Sequence, residues 1–194
     1  MKICFATNNP NKINEVRDFL KGGKYEIVSL AEVGCTEDIP ETSDTIEGNS
    51  HQKAAYVFEH YHIPCFADDT GLEVEALNGE PGVKSARFAG EQRDSGDNNE
   101  LLLKKLTGKT NRSARFKTVI TWITVEGSKQ FAGIVNGEIL DEHSGVGGFG
   151  YDPLFRPEGY QQSFAEMSMG EKNRISHRAL ATKAFIDYLS AQKI

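Results

Sequence analysis

Cys65-Phe66-Ala67-Asp68-Asp69-Thr70-Gly71 is the stretch on which the reading of this chain turns. A short apolar run, with the pattern of a buried strand, ends in two adjacent carboxylates, a hydroxyl and a glycine. Burying a carboxylate is costly unless a metal or a hydrogen-bond network compensates it. Adjacent acids at a strand's end therefore point to metal binding or acid-base work. Asp and Gly are also ordinary turn residues, and on this stretch alone a solvated strand-to-loop junction is the simpler alternative. Successive residues of a strand face opposite ways, so Asp68 and Asp69 need not share one role.

The length of 194 residues fits one large domain, or two lobes around a cleft, and allows a sizeable core. With 26 % charged and 38 % hydrophobic residues the chain reads as an ordinary soluble globular protein. A net charge of -6 argues against a non-specific binder of nucleic-acid polymers, which needs a basic surface. It leaves a nucleotide ligand open, because a few placed cations and a divalent metal can serve one triphosphate. Cys4, Cys35 and Cys65 form no CxxC pair and read as reduced core thiols. No apolar run approaches the ~18 residues of a membrane span. Met1 to Ala6 is too short for a secretory signal before Asn8-Asn9-Pro10 interrupts it. A cytoplasmic protein without a membrane partner is expected.

Upstream of the acidic stretch, Ile3 to Ala6 reads as a buried strand and Thr7-Asn8-Asn9-Pro10-Asn11-Lys12 as a polar loop. Asn9 is placed to cap a helix with Pro10 at its first position, and Ile13, Val16, Phe19 and Leu20 recur at helical spacing until Gly22-Gly23. Free backbone N–H groups, the positive end of a helix dipole and Lys12 together suit phosphate, although the stretch is no Walker A sequence. Tyr25 to Leu30 gives a second strand. Thr45 caps a helix running to about Tyr61, on which Asn49 and Lys53 share a face behind Glu41.

Downstream, Leu72, Val74 and Ala76 alternate with acids up to an Asn78-Gly79 turn. Asp94 to Asn99 reads as a polar loop before a leucine-rich helix. Ala114 to Val125 is the strongest strand signal, and Glu126 to Lys129 turns it back into a strand from Gln130 to Val135. Gly145-Val146-Gly147-Gly148-Phe149-Gly150-Tyr151-Asp152-Pro153 places four glycines in its first six residues, so backbone can approach a ligand closely. Phe149 and Tyr151 there offer stacking faces, and the stretch reads as a binding loop. A last helix is expected from about Ile175 to Gln192, with Ser176-His177-Arg178 in its first turn. Two basic side chains there oppose the helix dipole, a local choice that hints at function.

Six motifs in order resemble the Ham1-like family, the inosine/xanthosine triphosphate pyrophosphatases that clean damaged purine nucleotides from the pool. They are Thr7 to Lys12 with Glu15, the helix start Glu41…Thr45…Asn49…Lys53, Ala67 to Leu72, Pro81 to Arg87, Gly147 to Pro153, and Lys172…Ser176-His177-Arg178. Ser50 departs from the alanine expected after the asparagine. The resemblance covers the whole chain as one domain, residues 1–194. It implies an α/β fold, an elongated mixed β-sheet flanked by helices, with two lobes and a deep central nucleotide cleft. It also implies hydrolysis of a nucleoside triphosphate between the α- and β-phosphorus atoms, a Mg²⁺ requirement and a homodimer.

Carried over by motif, Thr7, Asn8, Asn9, Pro10, Asn11 and Lys12 hold the phosphates. Asp69 is the proton acceptor and a metal ligand with Thr70 beside it, and Lys53 counts with it among the catalytic residues. Glu41 is a second metal ligand and Asp68 a supporting one. Phe149, Gly150, Tyr151, Asp152, Lys172, His177 and Arg178 contact the nucleotide. Carboxylate oxygens are what Mg²⁺ prefers, with waters and phosphates completing its shell. Hypoxanthine and xanthine present O6 as an acceptor where adenine presents an amino donor, so donors such as His177 or Arg178 would favour the former. Two rivals stand beside this expectation: a Maf-like pyrophosphatase for modified pyrimidine or canonical-base triphosphates, and a module that senses a purine nucleotide without cleaving it.

Overall fold

In the computed structural model the run Ile3–Ala6 supplies strand β1 (Lys2–Phe5), and Pro10 opens helix α1 (Pro10–Phe19). The turn between them is closed by side chains: Thr7 Oγ1 accepts the Asn9 N–H at 3.2 Å, and Asn9 Oδ1 accepts the Lys12 N–H at 3.4 Å. After β2 (Glu26–Val28) comes helix α2 (Ile46–Tyr61), with the Thr45 hydroxyl accepting the Gly48 N–H at 3.0 Å as its cap. The acidic stretch lies in β3 (Cys65–Val74), which turns at Asn78-Gly79 and pairs antiparallel with the short β4 (Pro81–Gly82). Helix α3 (Ser95–Leu106) leads to the long hairpin β5 (Ser113–Thr124) and β6 (Gly127–Ile139). Strand β7 (Phe155–Pro157) and helices α4 (Met169–Ile175) and α5 (His177–Ala191) complete the chain.

The structure describes residues 1–20 and 23–192, without the side chains of Asn11, Glu15, Asp18 and Phe19. The expectations placed on Asn11, Glu15 and Phe19 as side chains, and on Gly22 as a helix stop, lie outside the described residues.

All the strands join one mixed sheet in the order β2-β1-β3-β5-β6-β7, with β4 beside β3. Strand β1 runs parallel to both neighbours, with Ile3 opposite Ile27 and Cys4 opposite Cys65. The chain divides into two compact units. The first holds Met1–Asp69, Val119–Ala132 and Ala181–Ile194. Its core has two sides. Ile3, Phe5, Phe66, Ile120 and Trp122 pack with Ile13, Val16 and Phe185, whereas Cys4, Cys65, Ala67 and Ile123 pack with Ala54 and Val57. The second unit, Thr70–Thr118 and Gly133–Leu180, is built on Leu72, Val74, Leu102, Leu106, Phe116, Ile139, Leu154, Phe155 and Phe164. Among the described residues no helix is long and apolar enough to cross a membrane.

Three expectations need correction. Val125 is 92 % exposed at the tip of a two-residue turn, so β5 stops at Thr124 and β6 resumes at Gly127. Asp94 to Asn99 is not a loop: Asp94 caps α3 by accepting the Asp97 N–H at 2.9 Å, and Asn98 and Asn99 are buried in the helix. The last helix starts at His177 rather than Ile175: Ile175 ends the separate helix α4, and Ser176, with extended backbone, precedes α5, its hydroxyl accepting the Ala179 N–H at 3.2 Å. Helix α4 before it carries a capping box, Ser168 with Glu171, a signal present in the sequence but attached to only seven residues.

Candidate active site

The alternation of β3 carries straight into its acids. Phe66 faces the α1 side of the sheet, and Asp68, two residues on, meets Lys12 of α1 at 2.6 Å. Cys65 and Ala67 face the α2 side, and Asp69 lies 3.5 Å from Lys53 of α2. Each carboxylate thus has its own lysine. Asp68 is buried, 5 % exposed, and its ion pair with Lys12 supplies the compensation that burial demands. Lys53 also donates to Glu41, which stands in the loop ahead of α2, so one ammonium gathers both carboxylates.

Burial pulls the Lys53 pKa down, but the Asp69, Glu41 and Asp68 carboxylates outweigh it and hold the group above the ordinary lysine range. A raised lysine contributes its stability below the unfolded value and loses it only as pH rises through the folded one. Lys53 is therefore cationic throughout the neutral range and cannot take a proton there. Its part in any chemistry is electrostatic.

Among the described residues no group of three or more His, Cys, Asp or Glu side chains is arranged to hold a metal. Glu41 and Asp69, brought together by Lys53, offer two carboxylates. Mg²⁺ is commonly bound through one or two carboxylates, with substrate phosphates and waters supplying the rest. The donor set fits Mg²⁺ on that footing, whereas a dedicated all-protein cage is absent among the described residues.

Ser50, on α2 three residues before Lys53, is fully buried. Its Oγ lies 2.9 Å from the Ala67 carbonyl oxygen and 2.8 Å from Thr121 Oγ1, while Gln130 Nε2 donates to Thr121 Oγ1 at 2.9 Å. A carbonyl can only accept, so the Ser50 proton goes to Ala67 and the Thr121 proton to Ser50. The relay ties α2, three residues before Lys53, to β3, two residues before Asp69.

In the second unit the glycine-rich loop is built to present one ring. Gly148 and Gly150 have φ of +71° and +63°, where L side chains rarely go, and a Cβ on Gly148 would collide with the Asp152 carboxylate. Asp152, 2 % exposed, accepts the Phe149 N–H at 2.8 Å and the ammonium of Lys172, itself 6 % exposed. Phe149 is left 64 % exposed, with Lys172 Nζ 4.5 Å and the Arg178 guanidinium carbon 5.8 Å from its ring centroid. Tyr151 behaves differently from expectation. Its ring is buried in the core and its hydroxyl donates to the Ser85 carbonyl at 2.9 Å, so of the two aromatics Phe149 keeps a stacking face. His177 is buried and stacked on Phe116 at 4.6 Å with planes 11° apart. Thr70 Oγ1 is 2.8 Å from the hydroxyl of Thr118, which is fully buried.

The expected residues therefore fall into two sets. Thr7 to Pro10, Lys12, Glu41, Lys53, Asp68 and Asp69 lie in the first unit; Thr70, Phe149, Gly150, Tyr151, Asp152, Lys172, His177 and Arg178 lie in the second. Sequence reasoning gave no role to Ser50 or Ser85 and missed Thr121, Gln130 and the Asn98-Asn99 pair, whose hydrogen bonds reach groups distant in sequence that no local pattern announces. Asn49 lies on α2 four residues before Lys53, on the same face as expected, and is buried, its Oδ1 accepting the Ser43 N–H at 2.9 Å.

Residues 3–188 match the family described as the Ham1 family. A dITP/XTP pyrophosphatase of Flavobacterium psychrophilum is 55 % identical over 97 % of this chain and 98 % of its own length. One of Porphyromonas gingivalis is 54 % identical over 99 % of both. The Ham1 protein structure of Staphylococcus aureus superposes with a TM-score of 0.95 at 38 % identity, covering 100 % of both chains. The fold and the matches along its full length define one family of α/β proteins. This chain belongs to the Ham1 family.

Proposed function

We propose that this chain is a nucleoside triphosphate pyrophosphatase that hydrolyses non-canonical purine nucleotides, dITP and ITP or XTP and dXTP, to the monophosphate and pyrophosphate. The observation that carries the reading is Asp69 at the end of β3 with Lys53 at 3.5 Å and Glu41 on the same ammonium. It stands in a chain about half or more identical, along its whole length, to relatives named for that activity.

Asp69 takes the proton of the attacking water. Lys53, fixed in its charged form, faces the negative charge that develops on the phosphates. Lys12, Asn9 and the N-terminal turn of α1 receive the phosphate chain, with Asp68 holding Lys12 in place. When bound, Mg²⁺ held by Glu41 and Asp69 supplies charge neutralisation and a water of lowered pKa. Phe149 stacks on the base, while His177 and Arg178 offer donors to O6. A site that pairs its buried donors with O6 disfavours adenine by about 10⁴ or more. A sensor without catalysis would have no use for an acid held beside a cationic lysine and a second carboxylate. We further read the chain as one catalytic domain, working in the cytoplasm as a homodimer with no membrane or nucleic-acid partner.

The test is the product of dITP turnover. With Mg²⁺ the expected products are dIMP and pyrophosphate, and chelation of the metal is expected to stop their release. Orthophosphate with dIDP would overturn the reading.

A further inference from the structure

We propose that Asn99 is a positioning residue for base recognition: its buried amide holds the Gly150 carbonyl and thereby sets the exposed Phe149 ring. The inference rests on the reading of Phe149 as the stacking residue.

Asn99 sits inside α3, 3 % exposed, and its Nδ2 donates to the Gly150 carbonyl at 3.1 Å. On the other side of Phe149 its own N–H is taken by Asp152 Oδ2 at 2.8 Å. The ring is thus pinned by a hydrogen bond on each flank, across a backbone whose Gly148 and Gly150 are in the left-handed region. Glycine enters that region readily but also leaves it readily, so hydrogen bonds rather than sterics must hold the loop there. What they hold is a phenylalanine 64 % exposed, under two cationic side chains, at the place where an unrestrained loop would fold an apolar ring away from water.

Asn99 Oδ1 reinforces the point. It is buried and has no hydrogen-bond partner among the described residues. An unpaired buried carbonyl oxygen is a cost that an apolar residue at this position would not carry. The amide is present in spite of that cost, so the one bond it makes is the reason for it. Its neighbour Asn98 differs: both ends of its amide are used, accepting the Ala89 N–H at 2.7 Å and donating to the Ala86 carbonyl at 3.2 Å. One asparagine fastens the loop after β4 in the ordinary way, and the other reaches to the ring-bearing loop.

The experiment is steady-state hydrolysis of dITP with Mg²⁺ by Asn99→Asp, Asn99→Ala, Phe149→Ala and the Asn99→Asp/Phe149→Ala double variant of the full chain. Asn99→Asp keeps the size but turns an acceptor toward the Gly150 carbonyl, and Asn99→Ala removes the donor without adding charge, so the pair also guards against misfolding of either. Both are expected to raise KM about tenfold, the scale of one lost hydrogen bond, with kcat within about twofold of the parent. The double variant is expected to match Phe149→Ala alone, because a ring already loosened has little left to lose. A general packing defect would instead lower kcat through the active fraction and multiply with Phe149→Ala. KM unchanged in both Asn99 variants, or effects that multiply, would overturn the proposal while leaving Phe149 as the stacking residue. KM unchanged in Phe149→Ala would overturn the stacking reading itself.

Discussion

Asp69→Asn is expected to lower kcat for dITP hydrolysis by about 10²–10⁴, the range for loss of a general base. The substitution keeps the shape of the side chain and removes the acceptor. Asp69 is 16 % exposed in its side chain and 3.5 Å from Lys53, at the end of β3 beside the second carboxylate, Glu41, that Lys53 binds. Lys53 offers no substitute, since its charge is held through the neutral range by the same carboxylates. Asp68 offers none either, being bound to Lys12 on the other side of the strand. Pyrophosphate release under saturating substrate measures the effect, with circular dichroism to show the fold is intact. Turnover at the parent rate would remove Asp69 from the role of base.

The second large effect is structural. Asp152→Ala is expected to cost about 3–5 kcal/mol, the penalty for leaving one member of a buried ion pair without its partner. Lys172 is 6 % exposed and lies against the rings of Phe149 and Phe164, at 4.5 and 5.5 Å from their centroids, with little water to replace the carboxylate. The same substitution frees the Phe149 N–H. Asp152→Ala/Lys172→Met is expected to recover much of the loss, because no lone charge is left in the interior. Urea denaturation of the two variants measures this. A double variant less stable than Asp152→Ala would show that the lysine stabilises the unit without the pair.

Most of the architecture was legible because strand and helix periods are written in burial. Ile3 to Ala6, the Thr45 cap, the Asn78-Gly79 turn and the β5–β6 hairpin all follow from patterns that local physics enforces. The opposite facing of Asp68 and Asp69 was legible for the same reason, and the two lysines now show what each face meets. What escaped has a common cause. Asn98 and Asn99 look like loop residues because buried asparagine is uncommon, and their burial depends on carbonyls and amides that are more than eight positions away in sequence or in another loop. Tyr151 reads as a ligand-facing aromatic until its hydroxyl finds the Ser85 carbonyl. Ser176 reads as part of a helix's first turn, and its extended backbone places it one step earlier, as the residue before α5. A sequence pattern tells which face is apolar; it does not tell which distant backbone group a polar side chain has been placed to satisfy.

Selectivity is where chemistry and structure meet. The glycine-rich loop, the Phe149 ring and the donors of His177 and Arg178 are all assigned to recognising a purine that carries O6 as an acceptor. The direct measurement is kcat/KM for dITP and for dATP, side by side with Mg²⁺, on the same preparation. The expected result is a preference for dITP of about 10⁴ or more, the scale at which a site built to hydrogen-bond O6 rejects a base that lacks that acceptor. Equal kcat/KM for the two would contradict it.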